Sequence, residues 1–193
     1  MENGIRLAEL RDSEAMLHIY KPYVETTSIS FETVAPTPAQ FAARIEEILQ
    51  THPCLVYLAD GEVAGYAYAS VHRARAAYRY NADLSVYLAP QYHGSGAAAR
   101  LCGCLFELLR ALGYYNVYAA VTLPNEKSIR FHEKCGFTLI GVHHNTGYKF
   151  GQWHDVAWLE KALAPHEESP AEPKRISELS VAETEAVLAR YNG

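Results

Sequence analysis

Apolar and polar residues alternate over 5–10, the two-residue period of a strand with one buried face. Asp12-Ser13-Glu14 then offers helix-capping side chains, and the pattern behind them predicts a helix to about Tyr23. A second helix opens at Thr37-Pro38, where Phe41, Ile45, Ile48 and Leu49 recur at helical spacing. Between the two helices, 25–36 follows no period and carries Ser28, Ser30, Phe31 and Thr33. Cys54–Ala59 and 63–71 are expected as strands joined by an Asp60-Gly61 hairpin turn, and Asn81–Leu88 as a further strand ended by Pro90. A glycine-containing loop leads into a helix over 95–112, with Leu101, Leu105, Leu108, Leu109 and Leu112 as its core stripe and Gly113 as its stop. A strand over 115–121, a helix over 125–135 and strands over 137–142 and 153–160 complete the pattern. The last strand is reached through a connection containing Gly147 and Gly151. No segment repeats.

Composition changes the picture at Pro165. From there to Lys174 the chain is mostly Pro, Glu, Ser and Lys, the content of a linker, and 180–191 then reads as a short amphipathic helix. The expected organisation is therefore one domain over 1–163 and a dispensable extension over 164–193. With 193 residues, 49% of them apolar and 20% charged, a single α/β domain can bury a sizeable core. The net charge of -5 lacks the basic face that nucleic acid needs. No apolar run approaches the roughly 18 residues of a membrane span, and the polar start is unlike a signal peptide. Cys54, Cys102, Cys104 and Cys135 form no C-x-x-C pair, so reduced thiols in a cytoplasmic protein are expected. Nine histidines raise the question of a metal, but His143, His144 and His154 lack the spacing of a zinc site, and no metal is expected.

The loop Gln91-Tyr92-His93-Gly94-Ser95-Gly96-Ala97-Ala98 follows a strand and opens a helix. Such a loop aims unpaired N–H groups, backed by the helix dipole, at one point where an anion can sit. It is neither a dinucleotide fingerprint, which would need a Gly at Ala99, nor a P-loop, which would need Gly-Lys-Ser/Thr. Gln91-x-x-Gly94-x-Gly96 resembles the acyl-coenzyme A signature of the GNAT superfamily, and Val86-Tyr87-Leu88 precedes it as in that family. Asn125-x-x-Ser128-x-x-x-His132 and Gly136-Phe137 resemble its second landmark. Within the superfamily the chain is most similar to phosphinothricin and methionine sulfoximine N-acetyltransferases. That similarity is carried by Phe31-Glu32-Thr33, Arg75 and Tyr78, Leu123-Pro124-Asn125, Phe131-His132-Glu133 and the string Lys149 to Val156.

The resemblance implies the GNAT acyl-CoA N-acyltransferase fold, a central mixed and mainly antiparallel twisted sheet flanked by helices. It also implies acetyl-CoA as cosubstrate, a small amino-acid-like amine as acceptor and a homodimer. An ammonium cannot attack a thioester, so the reaction needs a base and oxyanion donors, and an acid for the thiolate can assist. Asp83 aligns with the carboxylate, usually Glu, that the family uses as base. One methylene shorter, it would act through a water, unless it only bonds a loop backbone or pairs with Arg79. His132 stands where many members carry a Tyr proposed as acid, and acid and packing roles both remain open for it. By the same resemblance, coenzyme A would be held by Val86, Tyr87, Leu88, Gln91, His93, Gly94, Ser95, Gly96, Ala97, Ala98, Asn125 and Ser128. Phe31, Thr33, Arg75 and Tyr78 would hold the amine, Arg75 by a bidentate bond to its carboxylate. Two alternatives stand beside this reading, a non-catalytic acetyl-CoA sensor and a protein N-terminal acetyltransferase.

Overall fold

A computed structural model describes residues 3–192. In chain order the elements are β1 (Gly4–Leu7), α1 (Ser13–Thr26), α2 (Pro38–Thr51), β2 (Cys54–Ala59), β3 (Glu62–Val71) and β4 (Asn81–Leu88). They continue with α3 (Ala97–Ala111), β5 (Asn116–Thr122), α4 (Glu126–Lys134), β6 (Thr138–Lys149), β7 (Gln152–Ala162) and α5 (Val181–Tyr191). The strands form one seven-stranded sheet in the order β1-β2-β3-β4-β5-β7-β6. Every neighbouring pair is antiparallel except β4 and β5. A parallel pair cannot be closed by a hairpin, and α3 is the crossover that joins these two strands.

Alternation along the strands sorts their side chains onto two faces. Ala67, Ala69, Ala82, Leu84, Val117 and Ala119 point to one face and pack with the leucines of α3. Val56, Leu58 and Tyr66 point to the other, where α1 and α2 bring Met16, Ile19, Phe41 and Ile45. Asp83, Ser85, Tyr87, Tyr118 and Ala120 share this second face by the same period. The site described below lies on their part of the sheet.

Four expectations need correction. The first strand ends at Leu7, and a 3-10 turn over Leu10–Asp12 follows, because Asp12 turns inward to accept from Arg6 at 2.7 and 2.8 Å. Helix α1 runs past Pro22 to Thr26, its last turn held by the buried Val24. Strand β6 continues to Lys149, so the supposed connection is the second half of a long hairpin with β7. Bulges at Leu139/Gly141 and His143/Gly147 break the alternation that would have marked it. The C-terminal segment, expected as a linker and a short helix that the domain could lose, is packed against the domain. Leu179 and Val187 enter the α3 core, Tyr191 Oη donates to Glu107 at 2.6 Å, and Asn192 bonds the backbone N–H and C=O of Ile5.

Candidate active site

The ladder between β4 and β5 is short. It joins Asn81, Ala82 and Asp83 to Asn116, Val117 and Tyr118, then stops, although β4 continues to Leu88 and β5 to Thr122. Beyond Asp83 the strands diverge, and a cleft of about 600 Å³ opens between them. Ser85, Val86, Tyr87 and Leu88 line one wall, Ala119 and Ala120 the other, and Asn125, Ser128 and His132 of the α4 region close a third side.

Strand geometry narrows which N–H groups this cleft receives. Ala89 N–H donates to Ala64 O, in line with the β3–β4 register. In an antiparallel ladder, hydrogen-bonded pairs recur every second residue, so Tyr87 and Ser85 spend their backbone groups on β3. Leu84, Val86 and Leu88 then point theirs towards β5, where the ladder has ended. The carbonyl of Leu88 is covered, since Tyr23 Oη donates to it at 2.6 Å. His93 Nε2 lies 2.8 Å from the same hydroxyl and 3.3 Å from the same carbonyl. The N–H groups of Val86 and Leu88 remain as donors facing the cleft.

The glycine loop stands at the cleft's end. Gly94 (φ 79) and Gly96 (φ 88) adopt left-handed backbone, and neither would bring a Cβ near another atom, so they serve the turn and leave the space beside it open. Helix α3 begins directly behind, with the Ala97 N–H on Ser95 Oγ at 3.3 Å. The following first-turn N–H groups have no carbonyl within the helix to reach. His93, Gly94 and Ala98 line the cleft. Gln91 does not: it lies exposed in the 3-10 turn Pro90–Tyr92.

Asp83 sits where the ladder ends, on the same face as Ser85 and Tyr87. Burial pushes its carboxyl above the ordinary value, while the hydrogen bond and charge of His72 and the charge of Arg73 pull it down. Its partner is His72, 2.6 Å away, and not Arg79, which pairs with Glu172. His132 is buried, and burial lowers its pKa. Its Nδ1 donates to the Ser128 carbonyl at 2.8 Å, so in the neutral ring Nε2 carries no proton. This is a poor proton donor at neutral pH, which favours the packing role over the acid role of the two left open for His132. Asn125 caps α4, its side chain accepting from Ser128 N–H at 3.1 Å.

A second cavity, of about 380 Å³, shares Ile29, Tyr87 and Ala120 with the cleft and extends to Phe31, Thr122 and Trp158. Phe31 is seated on Gly147, where any Cβ would overlap its ring. Buried Lys149 fastens the loop behind it, with Nζ donating to Val24 O at 2.7 Å and Ser30 O at 2.6 Å. Thr33 lines another groove, beside α2, which shares Phe31 with this cavity. Arg75 and Tyr78 lie on the exposed β3–β4 connection, around the turn Ala76–Tyr78, and line none of these cavities. Tyr23, Ile29 and His72 were not singled out from the sequence. Tyr23 carries only a helix-face period, and His72 follows a strand end as many solvated loop residues do.

An acyl-coenzyme A fits this arrangement by its chemistry. The first turn of α3 offers N–H donors to a pyrophosphate, the diverging strands offer a slot, and Val86 and Leu88 offer donors to a carbonyl oxygen. The domain family described as "Acetyltransferase (GNAT) domain" matches residues 5–158. A phosphinothricin N-acetyltransferase of Streptomyces viridochromogenes is 34% identical over 172 residues, 89% of this chain and 92% of that protein. An L-methionine sulfoximine/L-methionine sulfone acetyltransferase of Salmonella typhimurium is 31% identical over 163 residues, 84% and 95% of the two chains. Among solved structures, a phosphinothricin acetyltransferase from Sinorhizobium meliloti in complex with AcCoA superposes with a TM-score of 0.85 at 33% identity. That superposition covers 90% of this chain and 96% of that one. The chain therefore belongs to the GNAT acetyltransferase family and is an acetyl-CoA-dependent N-acetyltransferase.

Proposed function

We propose that the acceptor is the amine of a small amino-acid-like molecule of the phosphinothricin or methionine sulfoximine type, and that Asp83 is the base. The observation that supports this reading is the divergence of β4 from β5 immediately beyond Asp83, the residue that precedes the cleft-lining Leu84 and Ser85 on β4. The substrate class is taken from the relatives' names, and the cavity at Phe31, Thr122 and Trp158 is its proposed seat.

Bound in the cleft, acetyl-CoA supplies an acetyl group on a good leaving thiolate. The N–H groups of Val86 and Leu88 are the proposed donors to the acetyl oxygen as negative charge gathers on it. The glycine loop and the start of α3 hold the pyrophosphate, and Asn125 and Ser128 border the pantetheine arm. Asp83, partly buried and so more basic than a solvated carboxylate, takes the amine's proton through a water. His132, neutral and with Nδ1–H given to the Ser128 carbonyl, does not serve as acid in this reading.

We also read the protein as a cytoplasmic homodimer. Tyr148, Phe150 and Trp153 stand about 60% exposed at the tip of the β6–β7 hairpin, an apolar surface suited to a second copy, and the four cysteines are free thiols. Light scattering on the wild type and on Trp153→Glu tests the dimer, and a wild-type monomer would end it. The acceptor is tested by thiol release with phosphinothricin, methionine sulfoximine and simple amines. Saturable turnover with the first two supports the assignment. Turnover with none of them, under conditions where acetyl-CoA binds, would return the protein to a sensing role.

A further inference from the structure

Asp83 does not stand alone on its face of the sheet. His72 follows β3 by one residue, and its Nδ1 lies 2.6 Å from Asp83 Oδ1. The imidazole is held on three sides. It stacks on Tyr118 with centroids 4.2 Å apart and planes 16° from parallel, and meets Tyr78 and Trp158 edge-on at 6.2 Å each. Trp158 is itself fixed, its Nε1 donating to His143 Nδ1 at 3.2 Å. The His72 side chain keeps only 11% of its surface in solvent, against 33% for Asp83. A ring clamped between aromatics and aimed at a carboxylate is unlike a solvated loop histidine.

We propose that His72 is a positioning residue for acetyl transfer: its Nδ1–H grips one oxygen of Asp83 and fixes the carboxylate plane, leaving the other oxygen to receive the amine's proton. This rests on the assignment of Asp83 as the base. A carboxylate on a short side chain that works through a water has two soft torsions, and misplacement by about 1 Å can cost 100-fold in rate. One charge-assisted bond to a rigid donor removes that freedom. The aromatic clamp supplies the rigidity. A cavity of about 190 Å³ bordered by His72, Tyr118 and Trp158 also has room for water.

The other ionisable groups around the pair are few. Arg73 adjoins His72 along the chain, Tyr118 faces it from β5, and Glu160 of β7 acts on Tyr118. His143 of β6 borders the same cavity, and Tyr78 faces the ring from the turn.

His72→Phe keeps the bulk and the stack on Tyr118 but removes the donor. It should lower kcat by about 10- to 100-fold, leave KM for acetyl-CoA unchanged, and move the acid limb of the pH–rate profile up by about one unit, since the carboxylate anion loses its donor. His72→Asn, whose amide nitrogen can stand near the place of Nδ1, should recover most of that loss and keep the acid limb near the wild type. If melting shows that the Phe ring is not tolerated, His72→Ala serves as the donor-free variant. Added to Asp83→Asn, the His72 substitution should cost nothing further. Wild-type kcat and pH profile in the donor-free variant, with Asp83→Asn impaired, would overturn the role of His72 and leave the base in place. A full additional loss in the double variant would also overturn it, since His72 would then act elsewhere. Wild-type activity in Asp83→Asn would remove the base assignment, and this proposal with it.

Discussion

At the scale of single residues, burial sets proton affinity. Burial raises Asp83 above the ordinary carboxylate value, and His72 and Arg73 only partly offset it. Activity that needs the anion is therefore lost as pH falls through this raised value, at a higher pH than for a solvated Asp. Asp83→Asn should lower kcat by about 10²–10⁴-fold with little change in acetyl-CoA affinity, and its defect should shrink as pH rises and free amine accumulates. The stability sign runs the other way. A carboxyl raised in the folded state contributes stability while protonated and loses it as pH rises through the folded value. Asp83→Asn should thus be no less stable than the wild type at neutral pH, whereas a structural Asp would give a lower Tm without a pH-dependent rate defect. Asp83 was legible in the sequence only through resemblance. Its partner His72 was not legible, because nothing local ties a residue after β3 to one inside β4 until the two strands pair. His132 was legible as a candidate and does line the cleft, but its protonation state was not legible, because the surrounding burial and the Ser128 carbonyl decide it.

Among the elements, those with an unbroken period were legible: the leucine stripe of α3, the capped α2 and the alternating strands β3 and β4. The β6–β7 hairpin was not, because two bulges and the polar run His143 to Thr146 hide the alternation of β6. Its consequence reaches the substrate side. The string around Lys149 fixes the hairpin to the loop carrying Phe31, through Lys149 Nζ to Val24 O and Ser30 O. Lys149→Met should leave both carbonyls without this donor and cost about 1–3 kcal/mol, seen as a Tm lower by several degrees. It should also raise KM for the amine several-fold while KM for acetyl-CoA stays put. Equal rises in both would mean that the loop does not shape the amine seat.

On the scale of the whole molecule, one sheet serves two needs: its α3 face supplies the core, and the diverging strands supply the site. The C-terminal segment belongs to the core side. Arg190 pairs with Glu107 at 2.5 Å, Arg100 donates to the Tyr191 carbonyl, and Leu179 and Val187 are buried against the body. A linker-like composition could not reveal this, because packing of a short amphipathic helix depends on an unpartnered groove that exists only after folding. Each buried apolar side chain is worth about 1.5–3 kcal/mol, so ending the chain before Pro165 should lower Tm on the order of 10 °C. An unchanged Tm would mean that the extension is dispensable after all. The divergence of β4 from β5 is the proposed place where the acetyl group is presented. A crystal structure of this chain with acetyl-CoA measures it most directly. The thioester should lie between the two strands, with its acetyl oxygen about 2.7–3.1 Å from the N–H of Val86 or Leu88 and the pyrophosphate on the first turn of α3. Acetyl-CoA bound outside this cleft, or with its carbonyl turned away from β4, would contradict it.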